Sequence, residues 1–392
     1  MYRRIAIIIL LGITACSVNP NGNTKGQKDL KWSVKMANTV LSTSDSLIHY
    51  VSGNPKWAYD VAFLGMAIDK LGNVDPKYSK YMENWVNYFV HPDGSVTDYR
   101  LREYNLDRIF PGRNVITVYK RYTDQKYKIA LDNFIEQLKT HPKTNSGGYW
   151  HKNIYQWQMW LDGIFMASTY MANYAKEFNA PEWFDVATGQ TKMIYEKTLD
   201  PASGLLMHAW DESRSQKWCD PATGQSHYPW SRAMGWYTMA ILDILDYLPV
   251  DHTDRDDLIT ILQKTCDALV RVRDPRSGIW YQVLNQGGRE GNYLEGSGSA
   301  MYIYIFAKGA RLGYLDKKYR DIANTAFDGF IKELVTVDDK GMVTIRNICG
   351  GCGLGGNPYR DGTYEYYVNE KRFDNDTKGV APFILSAIEL DR

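Results

Sequence analysis

The chain lacks an excess of charge of either sign: Lys+Arg is 46 and Asp+Glu is 45 over 392 residues. A nucleic-acid binder needs surplus cations to displace phosphate counterions, so that class is excluded as an expectation. It also lacks a bilayer-length apolar run, which takes ~20 residues. No Gly-rich loop ends in Lys-[Ser/Thr], and no Gly-x-Gly-x-x-Gly opens a helix, so phosphate cradles are unsupported. The run Gly350 to Gly356 has no such ending, and Gly296-Ser-Gly298 is too short for a Gly-x-Ser-x-Gly elbow. No His-x-x-x-His pair is present either. Nucleophilic Ser or Cys catalysis and metal catalysis therefore have no motif behind them, and no cofactor is expected. Cysteines number only 5. Cys349-Gly-Gly-Cys352 has C-x-x-C spacing but no second pair for zinc and no βαβ context. It reads as a loop pair, open to oxidation in an oxidising compartment.

What is present is aromatic: 12 Trp, 29 Tyr and 12 Phe, 14% of the chain. Flat rings stack on the C–H faces of pyranoses, so an aromatic-rich, charge-balanced chain suits sugar binding. A large aromatic core is the plainer reading of the same composition. Hydrophobic residues at 44% and charged residues at 23% are ordinary globular chemistry.

The N-terminus starts Met-Tyr-Arg3-Arg4, continues as an apolar run from Ile5 to Ile13, and reaches Thr14-Ala15-Cys16. That order describes an export signal. Ile13-Thr14-Ala15-Cys16 resembles a bacterial lipobox, in which the Cys is acylated. The expected organisation is a signal over 1–15, lipidation at Cys16, a polar tether over 16–30 and one domain over 31–392. The expected place is the periplasm or cell envelope, with membrane contact only through the lipid and the protein a monomer or weak homodimer.

Apolar spacing predicts about twelve helices, near 31–50, 57–71, 76–90, 113–122, 124–139, 155–177, 181–197, 230–248, 255–272, 293–313, 317–333 and 377–390. Turns Asp200-Pro-Ala-Ser-Gly204, Asp220-Pro-Ala-Thr-Gly224 and Asp274-Pro-Arg-Ser-Gly278 punctuate them. Twelve helices pair into six hairpins, which predicts an all-α (α/α)6 barrel with short β segments in loops at one end. The alternative is a helical bundle with a small β-rich C-terminal piece.

Chemistry concentrates in a few segments. Gly148-Tyr-Trp-His151-Lys152 leads into Tyr155-Gln-Trp157-Gln158-Met-Trp160-Leu-Asp162. Read as helix from Tyr155, this places Tyr155, Gln158 and Asp162 on one face. A carboxylate among indoles loses hydration, which favours its protonated form and suits a general acid. A solvated or capping Asp is the plainer alternative. Asp107 lies before a helix in Leu106-Asp107-Arg108-Ile-Phe-Pro-Gly112, as a second carboxylate or as a partner of Arg108. His208 to Glu212 and Trp230-Ser-Arg232-Ala-Met-Gly-Trp236 follow. Arg232 presents a fork matched to a carboxylate, and Trp236 is one turn away.

Together with Arg360-Asp-Gly-Thr-Tyr-Glu-Tyr366 and Asn375 to Phe383, these motifs resemble glycoside hydrolase family 105, the unsaturated rhamnogalacturonyl hydrolases. More distantly the chain is similar to the unsaturated glucuronyl hydrolases of family 88. The resemblance implies an (α/α)6 barrel acting on an anionic oligosaccharide with a C4=C5 bond in its terminal uronic acid. It implies Asp162 as general acid/base and Asp107 as the second essential carboxylate. It further implies that His151, Lys152, Tyr155, His208, Trp230, Arg232, Trp236 and Tyr59 line the uronate subsite, with Lys152 and Arg232 neutralising the uronate and both Trp rings stacking on it. An ordinary inverting hydrolase, a lyase and a non-catalytic glycan binder are the competing readings.

Overall fold

The computed structural model describes residues 30–51 and 53–391. The expected signal, Cys16 and nearly all of the tether lie outside the described residues.

Twelve long helices occur among the described residues, and they alternate between two rings. The inner ring is α2 (Tyr59–Asp69), α4 (Gly112–Tyr122), α6, α8 (Ser231–Leu245), α10 (Gly296–Arg311) and α12 (Thr377–Leu390). Helix α6 runs as Leu161–Gly163, a π-type stretch Ile164–Ser168 and Thr169–Phe178. Each inner helix packs on the next, and α12 returns to α2, which closes the ring. The outer ring is α1 (Trp32–Thr43), α3 (Pro76–Phe89), α5 (Gln125–Thr140), α7 (Glu182–Thr198), α9 (Arg255–Arg271) and α11 (Lys318–Leu334). Helices α3, α5, α7, α9 and α11 each cover the inner helix before them, and α1 covers α12. This is an (α/α)6 barrel.

The two rings differ because their surroundings differ. Every residue of α8 is buried, so it carries apolar and small residues all round. Helix α9 buries only a stripe, Leu258, Ile261, Leu262, Thr265, Cys266, Ala268 and Leu269, and keeps its other faces polar.

The short strands lie in the loops. β1 (Gln158–Trp160) pairs antiparallel with β2 (Ala209–Asp211), with Trp160 opposite Ala209. β3 (Val335–Val337) pairs with β4 (Val343–Ile345), and β5 (Ile348–Cys349) with β6 (Arg372–Phe373). The Asp-Pro turns close as their residue types dictate. Asp200 accepts from the amides of Ala202 and Ser203, Asp220 from those of Ala222 and Thr223, and Asp274 from that of Ser277. Their last residues have φ of +74°, +79° and +78°, which glycine adopts without a Cβ clash.

Two expected boundaries move. The first helix ends at Thr43, and Leu47–His49 is a separate 3-10 turn capped by Ser46. The helix expected from Tyr155 begins only at Leu161. Pairing with β2 draws Gln158–Trp160 into an extended ladder, and Trp157 turns the chain with φ +64°.

Candidate active site

The inner helices run parallel, and their N-terminal ends gather the chemistry on one face. Tyr59 is the first residue of α2, and Asp107 lies in the turn Leu106–Arg108 just before α4. Asp162 and Arg232 are the second residues of α6 and α8. Helix N-termini carry partial positive charge, so the face favours an anion. There Tyr59, Asp107, His151, Lys152, Tyr155, Trp160, Asp162, Trp230, Arg232 and Arg360 enclose a cavity of about 220 Å³.

Each carboxylate lies 3.4 Å from a histidine ring nitrogen. Asp107 Oδ2 is 2.6 Å from Lys152 Nζ, and Oδ1 is 3.4 Å from His151 Nε2. Burial alone would raise the Asp107 carboxyl, but Lys152 and then His151 outweigh it and hold it below the ordinary carboxylate value. His151 is itself pushed down to about 4 by burial, against the pull of Asp107, so its ring is neutral near pH 7. Asp162 Oδ2 is 3.4 Å from Nε2 of His208, which is fully buried.

Aromatic rings shape the remaining wall. His151, Trp160 and Tyr155 form a stack, with Trp160 4.7 Å from each of the other two ring centroids. The Tyr155 hydroxyl accepts from Arg360 Nη2 at 2.9 Å. Arg232 lies 4.7 Å over the Trp230 ring and donates from Nη1 to the Cys349 carbonyl (2.5 Å) and to Ser297 Oγ (3.2 Å). It has no ion pair with a carboxylate among the described residues, so its charge remains for an anionic ligand. Burial and the charge of Asp107 raise the Tyr59 phenol well above its ordinary value.

Several expectations need correction. Tyr155, Gln158 and Asp162 share no helix face, because the segment before Leu161 is not helical. Tyr155 and Asp162 still meet across the cavity, whereas Gln158 faces away, its Oε1 accepting from Trp160 Nε1 at 3.1 Å. Trp236 is fully buried beneath the cavity, packed on Phe165 at 4.6 Å and Phe63 at 5.1 Å. It is floor support, and no sugar ring can reach it. His208 likewise touches Asp162 from behind and is absent from the lining. The charge of Lys152 is taken up by Asp107. In the His208 to Glu212 motif, Glu212 is structural: it accepts from the Ser146 amide at 2.9 Å and so ties down the Gly147-Gly148 loop.

Sequence reasoning undervalued the C-terminal loop. Gly351, Cys352, Gly353 and Arg360 all line the cavity. The glycine run from 350 to 356 was the signal: it lets main chain approach the site closely. Cys349 and Cys352 are both free thiols, with Sγ atoms 3.5 Å apart, and not the oxidised pair considered from sequence.

A profile described as Glycosyl Hydrolase Family 88 matches residues 32–392. A glycoside hydrolase from family 105 of C. acetobutylicum is 39% identical, with a TM-score of 0.89 over 92% of this chain and 99% of that one. An unsaturated glucuronyl hydrolase specific for heparin shares the fold at 13% identity, with a TM-score of 0.65 over 91% of this chain and 96% of its own. An unsaturated 3S-rhamnoglycuronyl hydrolase of Formosa agariphila is 24% identical over 258 residues, 64% of each chain. The barrel, the paired carboxylates at its mouth and these likenesses agree: the chain belongs to glycoside hydrolase family 105, within the broader family 88 group.

Proposed function

We propose that the protein hydrolyses unsaturated uronyl-terminated oligosaccharides by hydrating the C4=C5 bond, with unsaturated galacturonyl-rhamnose from rhamnogalacturonan as its substrate. The observation carrying this reading is one cavity holding a carboxylate ion-paired to a lysine, Asp107, and a second one, Asp162, with no Lys or Arg paired to it among the described residues.

The two carboxylates divide the work by environment. Lys152 keeps Asp107 ionised, so it is an acceptor that orients a sugar hydroxyl and not a proton donor. Asp162 donates its proton to C4. The resulting positive charge is shared between C5 and the ring oxygen. Water then adds at C5 while Asp162 takes a proton back, as general base. The product is a hemiketal, which opens and expels the neighbouring sugar. No side chain needs to attack C1, unlike the usual two-carboxylate hydrolases. Arg232 receives the uronate carboxylate, and the Tyr155–Trp160 stack and Trp230 bound the ring. The names of the 3S-rhamnoglycuronyl and heparin-specific glucuronyl relatives point to the same substrate class.

The test is direct. Purified protein is mixed with unsaturated rhamnogalacturonan disaccharide, and the ultraviolet absorbance of the conjugated double bond is followed. Loss of absorbance is expected. A gain would mean lyase chemistry, and binding without change would mean a glycan-binding role. Export and acylation at Cys16 belong to the same proposal: an envelope-anchored enzyme, which a Cys16→Ala variant should release in soluble form.

A further inference from the structure

We propose that Tyr367 is a positioning residue for Asp162: its phenol fixes the tautomer of His208, whose Nε2–H then occupies Oδ2 of Asp162 and leaves the transferable proton on Oδ1. This rests on the reading of Asp162 as the acid.

The argument is an accounting of hydrogens in a closed space. His208 and Tyr367 are both fully buried. His208 Nδ1 is 2.9 Å from the Tyr367 hydroxyl oxygen, and Nε2 is 3.4 Å from Asp162 Oδ2. Nε2 and Oδ2 are both buried without a hydrogen-bond partner among the described residues, and at 3.4 Å they face each other. A neutral imidazole has one N–H, and its neighbours decide which nitrogen carries it. With the hydrogen on Nδ1, the Tyr367 O–H would have no acceptor. The bare Nε2 would also face carboxylate lone pairs. Each orphaned buried group costs about 1–3 kcal/mol. With the hydrogen on Nε2, Tyr367 donates to Nδ1, and Nε2–H points at Oδ2. Only this arrangement leaves each donor facing an acceptor. Burial also pushes the Tyr367 phenol well above its ordinary value, so it keeps the proton it donates.

The consequence falls on Asp162. Its side chain is 14% exposed while Oδ2 is buried, so the carboxyl meets the cavity with Oδ1. An Nε2–H held 3.4 Å from Oδ2 disfavours a second hydrogen there and directs protonation to Oδ1, the oxygen that substrate can reach. Tyr367 is held in turn. The Gln282 amide donates to the Tyr367 carbonyl at 3.1 Å and accepts from Trp230 Nε1 at 3.1 Å. The Trp230 ring lies 4.8 Å from the His208 ring. One buried amide thus links the pocket wall to the residue behind the acid.

The experiment uses the full protein labelled with 15N-histidine, which has only 7 histidines to assign. In the wild type, the His208 tautomer should carry its hydrogen on Nε2; in Tyr367→Phe that preference should weaken. On the unsaturated disaccharide, Tyr367→Phe should lower kcat about 10-fold or more while KM stays within about 2-fold, the signature of a defect in proton transfer and not in binding. A wild-type His208 with its hydrogen on Nδ1 overturns the inference and needs no variant to fold. So does an unchanged tautomer in Tyr367→Phe, or a kcat within about 2-fold of wild type. If the wild type leaves the absorbance of every unsaturated disaccharide unchanged, the proposed function itself fails; a wrong tautomer alongside normal turnover sinks only the role of Tyr367.

Discussion

At the scale of single residues, the cavity separates charges that a list of its side chains would merge. Lys152 and Asp107 pair with each other at 2.6 Å, and in the proposed function this leaves Asp162 for proton transfer and Arg232 for the substrate anion. Replacing Asp162 with Asn should therefore keep substrate binding and cut kcat by about 10²–10⁴-fold. Near-normal turnover in the absorbance assay would defeat the assignment. Arg232→Lys keeps the charge but loses the planar fork, in which Nη1 alone holds Cys349 and Ser297 and the second nitrogen is left for the ligand. A charge-assisted hydrogen bond is worth ~1.5–3 kcal/mol, so KM should rise about 10- to 100-fold with a smaller change in kcat. Equal KM values for the two proteins would remove Arg232 from the binding site.

At the scale of elements, the site depends on how loops are fastened to helix ends. The β1–β2 pair fixes the chain just before Asp162, and the π-type stretch Ile164–Ser168 follows directly after it. Such widened turns recur at functional sites. On the rim, α11 packs against the Asp274 to Gly278 turn so closely that a Cβ on Gly329 would lie 1.8 Å from the Ser277 carbonyl oxygen. Gly329→Ala gains about 0.5–1 kcal/mol of helix propensity. It also forces backbone apart, and such overpacking costs about 1–3 kcal/mol. The melting temperature should fall; a rise would show that the turn yields freely.

At the scale of the whole molecule, the inner ring is tied across its centre by buried charge. Asp243 on α8 meets Arg113 of α4 at 2.8 Å and Lys308 of α10 at 3.1 Å. Burial opposes its ionisation, but the two cations hold it below the ordinary carboxylate value. Asp243→Asn leaves both cations without their shared carboxylate, so unfolding by denaturant should show a loss of about 3–5 kcal/mol. Acid should also loosen the barrel. Burial pushes His141 and His151 down from 6.5 to about 4. Between those values the unfolded chain binds protons that the folded chain refuses. Stability is thus fully present above pH 6.5 and falls as pH drops toward 4. Denaturant midpoints at pH 7 and pH 5 measure this, and His141→Gln should shrink the difference. An unchanged difference would mean that His141 charges freely in the fold.

Local pattern was enough for much of this. Apolar spacing marked the helices, because burying one face or every face leaves a period in the residues themselves. Asp-Pro-x-[Ser/Thr]-Gly marked the turns, because the Asp oxygens and the glycine act within five residues. The motifs around Asp107, Asp162 and Arg232 do gather around one cavity at one end of the barrel. What local pattern missed depended on distant partners. Gln158–Trp160 is extended because Ala209–Asp211 lies alongside it. Trp236 is out of reach of a sugar because Phe63 and Phe165 close over it. Arg232 is held by a carbonyl 117 residues away, and His208 by a hydroxyl 159 residues away. Residue type and spacing declare what a side chain can do; only the closed ring decides which neighbour it meets, and for charged and hydrogen-bonding groups the neighbour sets the role.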